Sequence, residues 1–268
     1  MIYNITSVRD PRVAFFLNLR NNPLQNQENA NGSEVCIVES PKVIRTALSC
    51  GYTPVSLLCE EKHITGDAAE IISLCGENTP IYTGSRDVLS EITGYVLTRG
   101  VLCAMKRRPL PTVNEIVSQA SRIAVIDGVC DNANIGSIFR AAAALGIDGI
   151  LLTPESCDPL NRRSIRVSMG SVFQIPWCWL DAPIKSLKNF GFKTVAMALK
   201  PDSICLDDIR LKNEPRLAII LGTEGDGLKD NVIEEADYSV VIPMHNNVDS
   251  LNVASAAAVT FWELRKKI

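Results

Sequence analysis

The polar loop that follows an apolar run near the C-terminus carries the side chains best suited to chemistry. The run at 238–242 predicts a buried strand, Pro243 ends its hydrogen-bonding ladder, and an Ala-rich helix is predicted from Val253 onward. The loop between them holds six polar side chains: His245, Asn246, Asn247, Asp249, Ser250 and Asn252. Such a junction is where α/β enzymes usually bind ligands. Because Ser250 or Asn252 would also suit a helix cap, the loop alone leaves a site and a simple cap equally open.

Two further junctions between an apolar run and a helical pattern have the same character. Residues 131–146 read D-N-A-N-I-G-S-I-F-R-A-A-A-A-L-G, and residues 221–228 read L-G-T-E-G-D-G-L. In the first, the apolar residues keep helical core spacing, which places Arg140 on another face. Asn134 stands ahead of this helix, at a capping position. In the second, the glycines let the backbone turn tightly and approach a ligand.

Apolar, strand-like runs alternate with helical patterns through the second half of the chain. The runs lie at 123–129, 149–152, 172–177, 194–199, 217–221 and 238–242. This alternation predicts a largely parallel sheet covered on both faces, with ligands at the carboxyl ends of its strands. A dinucleotide-binding oxidoreductase would fit the alternation as well, but no G-x-G-x-x-G follows the first strand of either half.

The first hundred or so residues predict a smaller α/β domain. Strands are expected near 34–38 and 55–59, and helices near 42–50 and 68–74. The Asn-rich stretch at 21–33 is expected to be a mobile loop. The segment K-R-R-P-L-P-T at 106–112 is typical of a linker. The predicted domains are therefore residues 1–108 and 109–268.

Composition is that of a soluble globular protein, with 46% hydrophobic and 21% charged residues. No segment approaches the roughly 18 apolar residues of a membrane span, and no secretion signal is recognisable, so a cytoplasmic location without a membrane partner is expected. The nine cysteines form no C-x-x-C, and only two histidines accompany them. We therefore expect reduced thiols and no metal site.

The net charge of −3 is lower than a nucleic-acid-binding protein usually carries. Binding needs only a local basic patch, however, and the chain offers two. One is Lys106-Arg107-Arg108, and the other contains Arg162, Arg163 and Arg166. A solvated surface is the usual explanation for either patch alone. Two patches in an otherwise acidic chain favour contact with phosphate groups.

The three junctions together, in this order and at this spacing, resemble the three motifs of the SPOUT superfamily of RNA methyltransferases. The similarity is to its TrmH (SpoU) branch of ribose 2′-O-methyltransferases, and I-P-M followed by S-L-N is close to the signature of that branch. A weaker resemblance links V-E-S-P-K-V-I-R-T-A-L and I-T-G-Y-V-L-T-R-G-V-L to the substrate-binding domain that precedes many such enzymes.

The resemblance implies an RNA methyltransferase that uses S-adenosylmethionine, with rRNA the preferred substrate and tRNA the second. It also implies a C-terminal α/β catalytic domain with a deep trefoil knot, an N-terminal RNA-binding α/β domain, and a homodimer. The implied active-site residues are Asn134, Arg140, Glu224, Ser250 and Asn252. The implied cofactor-binding residues are Gly222, Ile242 and Leu251, and Met244 and Gly227 complete that prediction. The predicted RNA contacts are Arg166, Arg162, Arg163, Arg107 and Arg108.

Methyl transfer to a ribose 2′-hydroxyl requires an in-line approach and removal of a proton from a weak acid. Arginine is an awkward base because it stays protonated in nearly all proteins. We expect Arg140 to bind an RNA phosphate and orient the hydroxyl, whereas an alternative held for the family makes this arginine the base. A non-catalytic RNA-binding or ribosome-assembly protein of the same fold is the rival prediction. The presence of all five active-site residues argues against it.

Overall fold

The chain forms two compact units, each built on its own β-sheet. The computed structural model describes residues 1–19, 34–97, 100–223, 225, 227–246 and 248–266. The first unit comprises Met1–Pro109 and Asp158–Phe173, and the second comprises Leu110–Cys157 and Gln174–Ile268. The loop predicted at 21–33 and the predicted site residue Glu224 lie outside the described residues. The division into functional domains at 108/109 stays a prediction.

The strands and helices are short, and helices or helical turns connect most of the successive strands of each sheet. The strands are β1 (Ile2–Asn4), β2 (Val35–Glu39), β3 (Thr53–Glu60), β4 (Ile81–Gly84), β5 (Val101–Lys106), β6 (Arg122–Ile126), β7 (Gly149–Leu152), β8 (Trp177–Trp179), β9 (Lys193–Met197), β10 (Ile204–Cys205), β11 (Leu217–Leu221) and β12 (Tyr238–Val241). The α-helices are α1 (Pro41–Ser49), α2 (Glu61–Ile64), α3 (Ala69–Cys75), α4 (Arg86–Thr93), α5 (Val113–Gln119), α6 (Asn132–Ala144), α7 (Arg162–Val167), α8 (Ile209–Asn213), α9 (Asp230–Glu235) and α10 (Val253–Leu264). In the described ranges, 3-10 segments lie at Pro11–Phe16, Ser171–Phe173 and Ile184–Phe190. No helix in the described ranges is long and apolar enough to cross a bilayer.

The sheet of the first unit is mixed, with the order β1-β4-β3-β5-β2. Strands β1, β4 and β3 are parallel, and β5 runs antiparallel to both β3 and β2. Helix α7 packs against β2, although it follows β7 in the chain. The segment Asp158–Phe173 therefore leaves the second unit and completes the first one, which the sequence did not indicate.

Two buried carboxylates hold that segment in the first unit. The Glu39 side chain is 2% exposed and accepts a hydrogen bond of 2.8 Å from the Arg162 guanidinium, which also lies over the Tyr95 ring. Burial raises the pKa of Tyr95 well above its usual value, so its hydroxyl stays protonated. Asp158, whose side chain is 3% exposed, pairs with Arg107 in the same way. Since buried charges require partners, both arginines have structural roles.

The sheet of the second unit is parallel throughout, in the order β10-β12-β9-β11-β6-β7-β8. This confirms the parallel sheet expected from the alternating pattern. Alternate residues of β6 and β11, among them Ile123, Val125 and Ile220, enter one buried apolar cluster. The chain steps from β6 outward to β7 and β8, and all later strands lie on the other side of β6. The strand order therefore reverses between β6 and β11.

One predicted strand, at 172–177, is wrong. The chain there forms the 3-10 segment Ser171–Phe173, and β8 begins only at Trp177. Pro176 has no N–H with which to join a ladder, and its carbonyl accepts a hydrogen bond of 3.0 Å from the Ile150 N–H instead. The strand therefore starts immediately after the proline.

We predict that Glu39→Gln destabilises the protein by about 3 kcal/mol, because the substitution leaves the Arg162 charge with little solvent and no carboxylate. Glu70→Gln is the matched control, since Glu70 pairs with Arg45 on the surface and both side chains are about half exposed or more. That change is expected to cost less than about 1 kcal/mol. Urea unfolding measures both, and equal effects of the two substitutions would contradict the assigned role of Glu39.

Candidate active site

Helix α6 begins with a cap that the sequence did not identify. The Asp131 carboxylate accepts hydrogen bonds from the N–H groups of Ala133 (2.7 Å) and Asn134 (2.9 Å). Asn134 is the third residue of the helix and is 9% exposed. The prediction that Asn134 precedes this helix is therefore wrong, and so is the alternative that it serves as the cap, because Asp131 occupies that position with a side chain that also suits the helix dipole. The Asn134 side chain is left to make a different contact.

That contact is with Asn252, the residue that caps α10. The Asn252 Oδ1 atom accepts hydrogen bonds from the N–H groups of Ala254 (3.0 Å) and Ser255 (3.4 Å). Its Nδ2 donates a hydrogen bond of 3.1 Å to Asn134 Oδ1. Backbone N–H groups can only donate, so the oxygen of Asn252 must face the helix and its NH2 must face Asn134. The two caps and this bond fix the starts of α6 and α10 against each other.

Arg140 and Ser250 are exposed, unlike Asn134. The predicted core residues of α6, including Ile135, Ile138 and Phe139, are fully buried, and Arg140 lies on another face as expected. Within the described part of the chain, the Arg140 guanidinium makes no hydrogen bond or ion pair. Its positive charge is therefore open to a ligand.

A cavity of about 670 Å³ lies at the carboxyl ends of β9, β11 and β12. Its lining includes all of the predicted cofactor-binding residues: Gly222, Gly227, Ile242, Met244 and Leu251. Ser250 and Asn252 line it too, whereas Asn134 and Arg140 do not. The volume is in the range that small-molecule sites usually have. Asn252 therefore contacts both the cavity and the helix that carries Arg140.

One wall of this cavity depends on a glycine. A Cβ atom on Gly222 would lie 2.7 Å from the carbonyl carbon of Gly227 and 2.7 Å from the backbone nitrogen of Leu228. Thr223 and Gly227 form a β-bridge across the same loop, and Gly227 has a φ of +67°. Only a residue without a side chain permits this approach. The loop thus offers backbone groups to a ligand, which fits recognition of a nucleoside cofactor.

The ion pair between Lys200 and Asp230 (2.7 Å) also lines the cavity, and sequence reasoning missed it. The Lys200 ammonium holds the pKa of Asp230 below its usual value. Lys200 lies just beyond the carboxyl end of β9, so the rule that ligands bind at strand ends was the signal that could have found it.

The arginines predicted to contact RNA fall into three groups, all of them in the first unit. Arg107 and Arg162 are held by buried carboxylates. Arg108 is exposed, donates to the Cys50 carbonyl and lies over the Tyr52 ring. Arg163 and Arg166 are exposed on α7. Arg163 and Arg166 are therefore the two that offer a charge to solvent without any of these partners.

Comparison with known proteins gives a consistent set of relatives. The sequence profile of the SpoU rRNA methylase family matches residues 121–262. A relative named as an uncharacterized tRNA/rRNA methyltransferase of Mycobacterium tuberculosis is 35% identical, over 98% of this chain and 91% of its own length. The 23S rRNA (guanosine(2553)-2′-O)-methyltransferase RlmP of Bacillus subtilis is 27% identical, over 90% of this chain and 93% of its own length. The crystal structure of an AdoMet-bound rRNA methyltransferase from Sinorhizobium meliloti superposes with a TM-score of 0.79 at 26% identity, covering 98% of this chain and 97% of that one.

Two substitutions at Asn252 separate the cap from the bond to Asn134. Asn252→Ala removes both and is expected to destabilise the protein by about 2 kcal/mol. Asn252→Asp keeps the capping oxygen but loses the donor to Asn134, so its cost is expected to be about 1 kcal/mol or less. Ser255→Ala, on the exposed side of α10, is the control with little effect. If urea unfolding shows that aspartate costs as much as alanine, the capping role of Oδ1 is wrong.

Gly222→Ala is expected to weaken binding of S-adenosylmethionine by at least about tenfold, because the new Cβ must displace the backbone at Gly227. Gly225→Ala is the matched control in the same loop. Unlike Gly222, Gly225 has a positive φ, so alanine there strains the backbone, but its Cβ would meet no atom within 4 Å. Calorimetric titration of both variants distinguishes the close approach from general loop strain. Equal losses of affinity would contradict a specific role for Gly222.

Proposed function

The chain belongs to the SpoU rRNA methylase family, and from this premise we propose that it transfers a methyl group from S-adenosylmethionine to a ribose 2′-hydroxyl of RNA. Ribosomal RNA is the proposed substrate, and tRNA is the second candidate. The relatives named RlmP and RlmB, both 23S rRNA 2′-O-methyltransferases, support ribose as the acceptor and rRNA as the target. The cytoplasm is the proposed location.

The observation that carries the proposal is the coincidence of the cavity with the implied cofactor site. Residues of two loops line a single cavity: Gly222 and Gly227 from one loop, and Ile242, Met244 and Leu251 from the other. A solved relative at 26% identity binds AdoMet in the same fold, which supports that cofactor here. When bound, S-adenosylmethionine supplies an electrophilic methyl group on a sulfonium.

The protein's own residues are proposed to position the acceptor hydroxyl. Arg140 remains positively charged, is exposed, and is open to a phosphate group. A bidentate contact with the phosphate beside the target ribose would fix the 2′-hydroxyl for in-line attack. The charge would also stabilise the developing alkoxide. In the alternative, the same arginine accepts the proton once it contacts the phosphate.

The Asn252 side chain is proposed to fix the position of the cofactor cavity relative to the acceptor site. It lines the cavity, and its NH2 holds Asn134 near the start of the helix that carries Arg140. Small errors in the placement of the two substrates are costly, because transfer requires the reacting atoms to be aligned. Glu224 is proposed as an active-site residue on the family resemblance alone.

A deep trefoil knot and a homodimer are proposed on the same resemblance. Val259 and Trp262 on α10 are 42% and 56% exposed and lie three residues apart, which puts them on one face of the helix. An exposed apolar face of this kind supports a subunit contact.

Replacement of Arg140 tests the proposed function. Arg140→Ala is expected to lower the rate of methyl transfer by about 100-fold or more, because a phosphate contact that acts in the transition state is lost. Arg140→Lys is expected to recover only a small part of this rate, since an ammonium cannot make the bidentate contact. Transfer of labelled methyl groups to separated rRNA and tRNA from cells lacking the gene, followed by nucleoside analysis, measures the effect.

Arg210→Ala is the control, because Arg210 is exposed in the same unit and its ion pair among the described residues is with the nearby Asp208. Near-normal turnover of Arg140→Lys would contradict the bidentate contact. If the protein binds cofactor and RNA but transfers no label to any fraction, a non-catalytic RNA-binding role replaces the proposed one. Label in a base rather than in a 2′-O-methylated nucleoside would contradict the ribose acceptor.

A further inference from the structure

A second cleft in the second unit takes no part in the proposed methyl transfer. Its volume is about 350 Å³, and residues that follow β6, β7 and β8 line one end of it. The 3-10 segment Ile184–Phe190 and helix α9 contribute further side chains. None of the residues assigned above to the active site or to the cofactor lines this cleft.

The cleft lies where the order of the parallel strands reverses. Asp127 follows β6 directly, and Ile220 belongs to the neighbouring strand β11. In open parallel sheets, ligands bind outside the carboxyl ends of the strands at the point of reversal. The large cavity described above is at the ends of β9, β11 and β12 instead. The common ligand position of α/β sheets is therefore open to a second ligand.

The most buried charge of this cleft is the Asp127 carboxylate, in a residue that is 9% exposed. Asp127 Oδ1 accepts a hydrogen bond of 3.0 Å from the Thr153 hydroxyl, and that hydroxyl in turn accepts one from the Gly128 N–H. Oδ2 makes no hydrogen bond or ion pair with any residue in the described ranges. Among the described residues, the fully buried side-chain atoms without a hydrogen-bond partner are the hydroxyl oxygens of Ser56 and Thr83. Asp127 Oδ2 is not one of them, so it is not fully buried. Oδ2 therefore keeps some exposure to solvent, and Asp127 lines the cleft.

The remaining charges of the lining are more negative than positive. Glu235 is neutralised by Lys185 at 2.7 Å. Glu155 and Asp181 are exposed at the rim and make no ion pair within the described part of the chain. Lys229 is the one further cation of the described lining. With Asp127 included, three carboxylates face one ammonium group.

The rest of the lining is mixed: Leu180, Ile184 and Val232 are apolar, whereas Thr153, Thr194 and Asn231 are polar. A partly desolvated carboxylate gains most from a cation that also donates hydrogen bonds. The apolar side chains among the lining residues favour a cation on a short hydrocarbon chain over a hydrated metal ion. The rim carboxylates would repel a phosphate backbone, which disfavours a nucleotide of an RNA strand.

We propose that this cleft binds a small aliphatic diamine, with one ammonium group donating to Asp127 and the second near Glu155 and Asp181. The hydrocarbon chain between the two ammonium groups lies against Ile184 and Val232. The site is separate from the cofactor cavity and does not depend on methyl transfer.

Calorimetric titration with putrescine, on the full chain without RNA and at physiological ionic strength, tests this site. We expect saturable binding at one site per chain. Asp127→Asn keeps the oxygen that accepts from Thr153 but removes the charge, and it is expected to weaken binding by about tenfold or more. Asp207→Asn removes a charge from an exposed position of the same unit outside the cleft, and its affinity is expected to be unchanged.

Two further measurements keep the test decisive if Asp127→Asn does not fold. Ala182→Trp adds bulk to an exposed lining position and is expected to abolish binding by filling the mouth of the cleft. Butanediol, which has the same chain without charge, is expected not to bind. The proposal is overturned if putrescine does not saturate, if Asp207→Asn weakens binding as much as Asp127→Asn, or if Mg²⁺ alone displaces putrescine.

Discussion

The candidate active site depends on the carboxamide of Asn252, whose oxygen and nitrogen make different contacts. The oxygen of Asn252 satisfies N–H groups at the start of α10, and its nitrogen holds Asn134 in α6. An N–H group at a helix start has no partner within the helix, so the cap decides which way the side chain faces. Because the cap fixes the orientation of Asn252, it also fixes the orientation of Asn134. The geometry of the site therefore follows from a requirement of helix formation.

The opposite end of α10 is held as firmly as its start. The buried guanidinium of Arg122 donates to the carbonyls of Leu264 (2.7 Å), Glu214 (3.0 Å) and Pro215 (3.1 Å). Burial lowers the pKa of Arg122 from its usual value, yet an arginine remains charged and its donors match carbonyls that would otherwise lack partners. Arg122 begins β6, and β6 leads into α6. Contacts therefore connect β6, α6 and α10 to one another at both ends of α10, and the site residues of the two helices take part in them.

The sequence predicts those features of the fold that depend on local pattern. The apolar runs that became β7, β11 and β12 were recognisable because a buried parallel strand needs continuous apolar residues. The loops that line the larger cavity were recognisable from glycines and polar residues after strands. The cap of α6 was not predicted correctly, because Asp131 and Asn134 both suit a cap and only the helix boundary distinguishes them. The role of Arg162 was also out of reach, since its partner Glu39 lies far away in the sequence.

The pairing and exposure of the arginines explain how a chain with a negative net charge can still bind RNA. Buried carboxylates hold Arg107 and Arg162. These two charges therefore stabilise the first unit and attract a phosphate group only weakly. Arg163 and Arg166 project from a helix that the Glu39 pair anchors, and their charge is local. A binder that neutralises only a few phosphates has a shallow dependence of affinity on salt, because few counterions are released. Recognition by such a protein must rest on the shape of a folded RNA more than on total charge. The net charge of the chain therefore indicates little about its substrate, and the number of exposed arginines indicates more.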